Sequence, residues 1–216
     1  MSRVFVITGP SGVGKGTLIR GLMERLEGLE LSVSATTRSA RPGERDGVDY
    51  HFLSPQEFER RVQAGQFVEH AHYAGRRYGT LRSELDDRVR AGIPVVLEIE
   101  VQGARQVRAA MPEAVQVFIA PPSPEALRAR LVGRGTDEPR EVERRMRVAE
   151  HELEARAEFE HVVVNDRLED AIEQLVAIVS GELQRGNPGA GAIPRDRDSP
   201  AAATTLHGQR GKAANT

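Results

Sequence analysis

Gly9-Pro10-Ser11-Gly12-Val13-Gly14-Lys15-Gly16-Thr17 sets four glycines around one lysine. Small residues at this density let successive backbone N–H groups turn inward around phosphate oxygens, and a flexible ammonium can then reach the β- and γ-phosphates of a nucleotide. Of the 30 basic residues only Lys15 and Lys212 are lysines, so a chain that otherwise carries its positive charge on arginine keeps a lysine here. The spacing satisfies G-x-x-x-x-G-K, but Gly16 follows the lysine and the hydroxyl is delayed to Thr17. A Mg²⁺ ion is therefore expected to be held mainly by phosphates and waters, with Thr17 or Glu98 as the candidate protein ligands.

Two further groups of residues suit phosphate chemistry. Val95-Val96-Leu97-Glu98-Ile99-Glu100 is an apolar run ending in carboxylates that share a face if it is extended, and these can order Mg²⁺ and its waters. Arg38 and Arg41 flank a Pro42-Gly43 turn, and two guanidinium forks so placed can hold a phosphate monoester. All three tyrosines, Tyr50, Tyr73 and Tyr78, fall in one 29-residue window, and Tyr50 and Tyr78 can add neutral hydroxyl donors. The absence of cysteine excludes disulfides, thiolate metal sites and a cysteine nucleophile. With lysine only at 15 and 212, no Asn-Lys-x-Asp guanine reader of the GTP-switch type is present. His70 and His72 have no partners at metal-ligand spacing and read as structural.

The elements that must position these residues follow a βα rhythm. Strands are predicted at Val4 to Thr8, Val95 to Val101, Val115 to Ala120 and Val162 to Val164, with a weaker one at Leu31 to Ala35. Helices lie between them. Ser54-Pro55-Gln56-Glu57 gives an N-cap, a proline at the first helical position and a capping-box glutamate, and Gly65 ends that helix. Leu81, Leu85 and Val89 repeat at i+4, Val142, Met146, Ala149 and Leu153 repeat at i+4 and i+3 along a longer arginine-rich helix, and a last helix runs through Ile172, Leu175 and Val179 to about Leu183. The pattern is that of a doubly wound α/β parallel sheet. Residues 34–80 break the rhythm and would overhang the carboxyl ends of the strands, where such folds bind ligands.

The chain has 216 residues, 39% apolar and 29% charged, with a net charge of −2. That is enough to bury a core and carries no overall basic field of the kind nucleic-acid binders use. No stretch approaches the ~18 apolar residues of a membrane span, so neither membrane nor nucleic acid is an expected partner. Residues 184–216, rich in Gly, Pro and Ala, are expected to be a disordered tail.

Taken together the segments resemble the guanylate kinases. The matching motifs are GPSGVGKGT, SVSATTRSARPGERDGVDYHF, FVEHAHYAGRRYGT, VVLEIEVQGA, LVGRGTD and VVVND, in the family's order over all but the tail. The resemblance implies a P-loop nucleoside-monophosphate-kinase fold: a five-stranded parallel core from 1–33, 85–125 and 150–183, a GMP-binding insertion over 34–84 and a mobile helical lid over 126–149. It implies ATP as donor, GMP as acceptor, Mg²⁺ as cofactor and a cytoplasmic setting. By the same resemblance the Gly9 to Thr17 loop holds ATP, Arg38, Arg41, Tyr50 and Tyr78 grip the GMP phosphate, and Ser34, Glu69 and Thr80 face the base. Glu98 and Glu100 stand near the metal and the acceptor, Lys15, Arg134 and Arg145 act on the transferring group with Arg130 a weaker lid arginine, and Asn165 and Asp166 lie near the ATP site. The chemistry agrees for Glu69, because guanine presents adjacent N1–H and N2–H₂ donors that one carboxylate can accept. A kinase of a phosphorylated sugar, or a scaffold without catalysis, are the alternatives. Ser34, Glu69 and Thr80 argue against the first, and retention of both loop and lid motifs against the second.

Overall fold

The structure is a computed structural model describing residues 3–73, 75–133 and 139–186. Strand β1 (Val4–Thr8) is buried along its whole length, as the centre of a parallel sheet must be. Its neighbours are β7 (Val95–Glu98) and β8 (Val115–Ala120), with β2 (Glu30–Leu31) beyond β7 and β9 (His161–Val164) beyond β8. All four pairings are parallel. Side chains of β1 alternate between two apolar layers. Phe5 and Ile7 join the cluster of Leu18 and Leu22 from α1 (Lys15–Arg25) and Ile172 and Leu175 from α7 (Leu168–Gly186). Val4 and Val6 join the cluster of Leu85 from α3 (Arg82–Arg90) and Val101, Ala104 and Val107 from α4 (Val101–Ala110). Covering both faces in this way is what makes the strands near-continuous apolar runs in the sequence.

A second, mixed sheet has the order β4-β3-β6-β5, made of β3 (Ala35–Thr36), β4 (His51–Phe52), β5 (Phe67–Tyr73) and β6 (Arg76–Leu81). Ala35, Phe67 and Leu81 from it bury Phe58 of α2 (Pro55–Gln63). The segment 31–35 expected as one strand is thus divided: Glu30–Leu31 pairs with β7 in the core, and Ala35–Thr36 pairs with β4 and β6. Residues 32–34 bridge the two sheets.

Three expectations are corrected in detail. The run 95–101 is extended only to Glu98, where pairing with Ile7 ends, and Glu100 takes the N-cap position of α4, so Val101 is helical. Ser54 caps α2 by accepting from the Glu57 N–H, but the Glu57 carboxylate binds Arg60 and Arg61. The last helix passes Leu183 to Gly186. The rest of the proposed tail, 187–216, and Arg134 lie outside the described residues. Helices α5 (Pro124–Gly133) and α6 (Pro139–Glu154) lie between β8 and β9 in the chain. Among the described residues no helix is long and apolar enough to cross a membrane.

Candidate active site

The chain leaves β1 through a turn that only glycine can make. Gly9 has φ of 143°, and a Cβ there would lie 2.3 Å from the Ile119 carbonyl oxygen. Gly14, with φ of 99°, is the N-cap of α1, and this left-handed geometry is costly for other residues. Lys15 follows at the head of the helix, 8% exposed, and its Nζ donates to the Gly9 carbonyl at 2.6 Å. The same Nζ lies 3.9 Å from Glu100 Oε2. A helix N-terminus, a curled loop and one ammonium therefore meet in a single anion cradle.

The loop is braced from behind. Asn165 is buried, and its Nδ2 donates to the Val13 carbonyl at 2.8 Å. Arg130 donates to the same carbonyl at 3.3 Å and to the Asn165 carbonyl at 2.8 Å. Asp166 is exposed and takes no part in this bracing. Across the loop mouth, Arg145 of α6 donates from Nη2 to Ser11 Oγ at 2.7 Å, and the Tyr73 hydroxyl of β5 lies beside Ser11.

The cradle opens on a cavity of about 370 Å³ lined by Pro10, Ser11, Gly12, Gly14, Lys15, Gly16, Thr17, Arg20, Glu98 and Glu100. A second cavity of about 250 Å³ lies between the sheets and is lined by Ser34, Tyr50, Glu69, Tyr73, Tyr78, Glu98 and Glu100 among others. Glu98 and Glu100 border both. Burial within the cleft raises the Glu98 carboxyl, while Lys15 pulls it down.

Glu69, on β5, is 3% exposed and its Oε1 accepts from the fully buried Thr80 hydroxyl at 2.8 Å. Burial pushes its carboxyl up to about 7, with Thr80 opposing the shift and Glu100 adding to it. Thr80 therefore stands behind Glu69 rather than on the cavity wall. Arg38 is held as a fork: Nη1 and Nη2 donate to the two oxygens of Glu44, each at 2.8 Å, and its guanidinium lies 5.2 Å from the Tyr50 ring centroid. These bonds, with a third from the Arg41 backbone N–H, hold the Glu44 carboxyl down at about 2. Arg41 is exposed on the loop, and neither it nor Arg38 lines the second cavity.

Several residues here were not anticipated. Glu44 supplies the carboxylate that sets the Arg38 fork, and Arg20 lines the loop cavity. Glu152 of α6 lies beside Glu100, and burial together with that neighbouring charge raises its carboxyl while Lys15 opposes the rise. The spacing from Arg145 to Glu152, two helical turns on one face, is a sequence signal that could have found it. Tyr73, to which the sequence motifs assign no role, lines the cavity between the sheets.

As a fit for a hard divalent cation, the loop cavity offers the Thr17 hydroxyl and the Glu98 and Glu100 carboxylates beside the phosphate cradle. All are oxygen donors, the chemistry Mg²⁺ requires. Among the described residues no group of three or more acidic or imidazole side chains could hold an ion without such help.

Comparison with known proteins gives a consistent answer. The family model described as guanylate kinase matches residues 1–182. The chain is 53% identical over 176 residues to a guanylate kinase of Frankia casuarinae, covering 82% of this chain and 96% of that protein. It is 51% identical over 183 residues to one from Mycobacterium leprae, covering 84% and 87%. The crystal structure of guanylate kinase from Anaplasma phagocytophilum superposes with a TM-score of 0.69 at 34% identity, over 84% of this chain and 86% of that one. The chain belongs to the guanylate kinase family.

Proposed function

We propose that the chain transfers the γ-phosphoryl group of ATP to GMP, giving ADP and GDP, with Gly9 to Thr17 as the ATP-phosphate site and the cavity between the sheets as the GMP site. The observation that carries this reading is that Glu98 and Glu100 line both cavities, so the two nucleotides would meet with their phosphates at that border. Donor and acceptor placed in line need no protein nucleophile, since phosphoryl transfer is catalysed mostly by positioning and charge stabilisation. Lys15 and the loop amides bear on the β- and γ-phosphates. Arg145, now on Ser11 beside the loop, is placed to bear on the transferring group; Arg134 is assigned to the same lid by the family motif alone.

On the acceptor side, Arg38, with Arg41, Tyr50 and Tyr78, binds the GMP phosphate. Glu69 accepts the N1–H and N2–H₂ donors of guanine, and Ser34 completes the polar wall. Asn165 and Arg130 act through Val13, holding the loop in its phosphate-binding shape. Residues 34–84 then form the GMP-binding unit and 126–149 the lid over a core of 1–33, 85–125 and 150–183. Mg²⁺, held by the nucleotide phosphates and waters with Thr17 or Glu98 in reach, would neutralise charge on the phosphates. A chain without cysteine that acts on free nucleotides suits the cytoplasm. An assay coupling ADP release to NADH oxidation, run with and without GMP, tests the reading. Release that does not depend on GMP would refute it.

A further inference from the structure

Gly103 is the third residue of α4, in its first turn, and glycine is a poor helix former. Its backbone is ordinary helix, so the requirement is for space. A Cβ at 103 would lie 2.3 Å from Glu69 Oε2 and 3.0 Å from the carboxyl carbon. Any side chain at 103 would compete with that carboxylate for the same volume. One turn further along, Gln106 grips the neighbouring backbone: its Oε1 accepts from the His70 N–H at 3.2 Å and its Nε2 donates to the His70 carbonyl at 2.7 Å. β5 is an edge strand of its sheet, and the Gln106 amide pairs with that edge as another strand would.

A third feature completes the arrangement. Phe67 pairs with Leu81 and Glu69 with Thr80, so Val68 is an extra residue in β5, a bulge. The bulge sends Val68 into the apolar cluster of α4, with Val101, Ala104 and Val107, while Phe67 enters the separate cluster around Phe58. Volume at Gly103, hydrogen bonding at Gln106 and packing at Val68 thus bear on three consecutive residues, Val68, Glu69 and His70.

From this geometry we propose that α4 sets the position of the Glu69 carboxylate, making Gly103 and Gln106 positioning residues for selection of the guanine base. The proposal rests on the assignment of Glu69 as the guanine-reading group. Adding a Cβ at 103 must drive that carboxylate off by about an ångström to reach ordinary contact, and both of its bonds to the base would lengthen. A substrate that presents only one of the two donors has less to lose.

The test compares kcat/KM for GMP and for IMP, which lacks the 2-amino group, in wild type, Gly103→Ala, Glu69→Gln and the double variant. Gly103→Ala should lower kcat/KM for GMP about tenfold and the GMP-to-IMP ratio at least about threefold, chiefly through KM. Added to Glu69→Gln it should cost under about twofold more, because the two changes act on one interaction. Gly181→Ala, a helical glycine with nothing within 4 Å of its Cβ, should leave the ratio unchanged. Should Gly103→Ala fail to fold, Gln106→Ala removes both bonds to His70 without adding bulk and should lower the same ratio. Equal losses for GMP and IMP, or full additivity with Glu69→Gln, overturn the proposal. If Glu69→Gln shifts the ratio and neither α4 variant does, only the role of α4 falls; if Glu69→Gln leaves the ratio unchanged, the guanine reading falls and the α4 proposal with it.

Discussion

Glu69 and Thr80 form a buried pair across β5 and β6, the Thr80 hydroxyl donating to Oε1 at 2.8 Å while the carboxyl sits at the border of the cavity between the sheets. Thr80 occupies one oxygen and orients the group. Burial without a cationic partner lifts the carboxyl from its ordinary 4.5 to about 7. That shift has both a kinetic and a stability consequence.

Reading two guanine donors requires the ionised carboxylate, so KM for GMP should rise as pH falls from 8 to 6, and Glu69→Gln should abolish that part of the profile. Stability runs the other way. A carboxyl raised on folding binds its proton more tightly in the folded state, so its contribution is fully present below about 4.5 and is lost as pH rises through 7, a difference on the order of 3 kcal/mol. Glu69→Gln should therefore show a smaller fall in melting temperature between pH 5 and pH 8 than wild type, although it binds GMP worse. Parallel melting profiles in the two proteins would contradict the buried-carboxylate account.

Lys15→Met retains the stem and removes the charge aimed at the phosphates. Transfer should fall at least about 10²-fold, roughly 3 kcal/mol of transition-state stabilisation, with the fold intact by circular dichroism. Near-normal turnover in a folded variant would remove Lys15 from the mechanism.

Arg38 binds Glu44 through both of its terminal nitrogens, the geometry a phosphate would also use. Arg38→Lys keeps the charge and loses the fork, so KM for GMP should rise about tenfold or more while KM for ATP changes little. Steady-state kinetics with each substrate varied in turn would show it, and equal effects on both would place Arg38 elsewhere in the reaction.

Arg145→Ala should lower kcat more than it weakens GMP binding measured calorimetrically without ATP, because its charge acts once water is excluded from the closed site. Equal losses in the two quantities would instead indicate static substrate binding.

Much of this site is legible in the chain because its demands are local. Gly9 and Gly14 adopt positive φ that other residues resist, and Lys15 stands out in an arginine-rich sequence. Glu98 and Glu100 follow an unmistakable buried run. What the sequence hides depends on docking between distant elements. Leu31 to Ala35 reads as one strand although two sheets divide it, and nothing local reveals that Val68 is a bulge. Glu152 reaches Glu100 only because α6 lies over the phosphate loop, and Gly103 looks like an ordinary helix defect until Glu69 is seen above it.

The central claim is direct transfer between two bound nucleotides, and ATP labelled at its γ-phosphorus tests it most directly. With GMP and Mg²⁺ present, the label should appear in the β position of GDP in step with ADP formation, and AMP should accept it far less well. Release of the label as inorganic phosphate, or its transfer to AMP as readily as to GMP, would contradict the account.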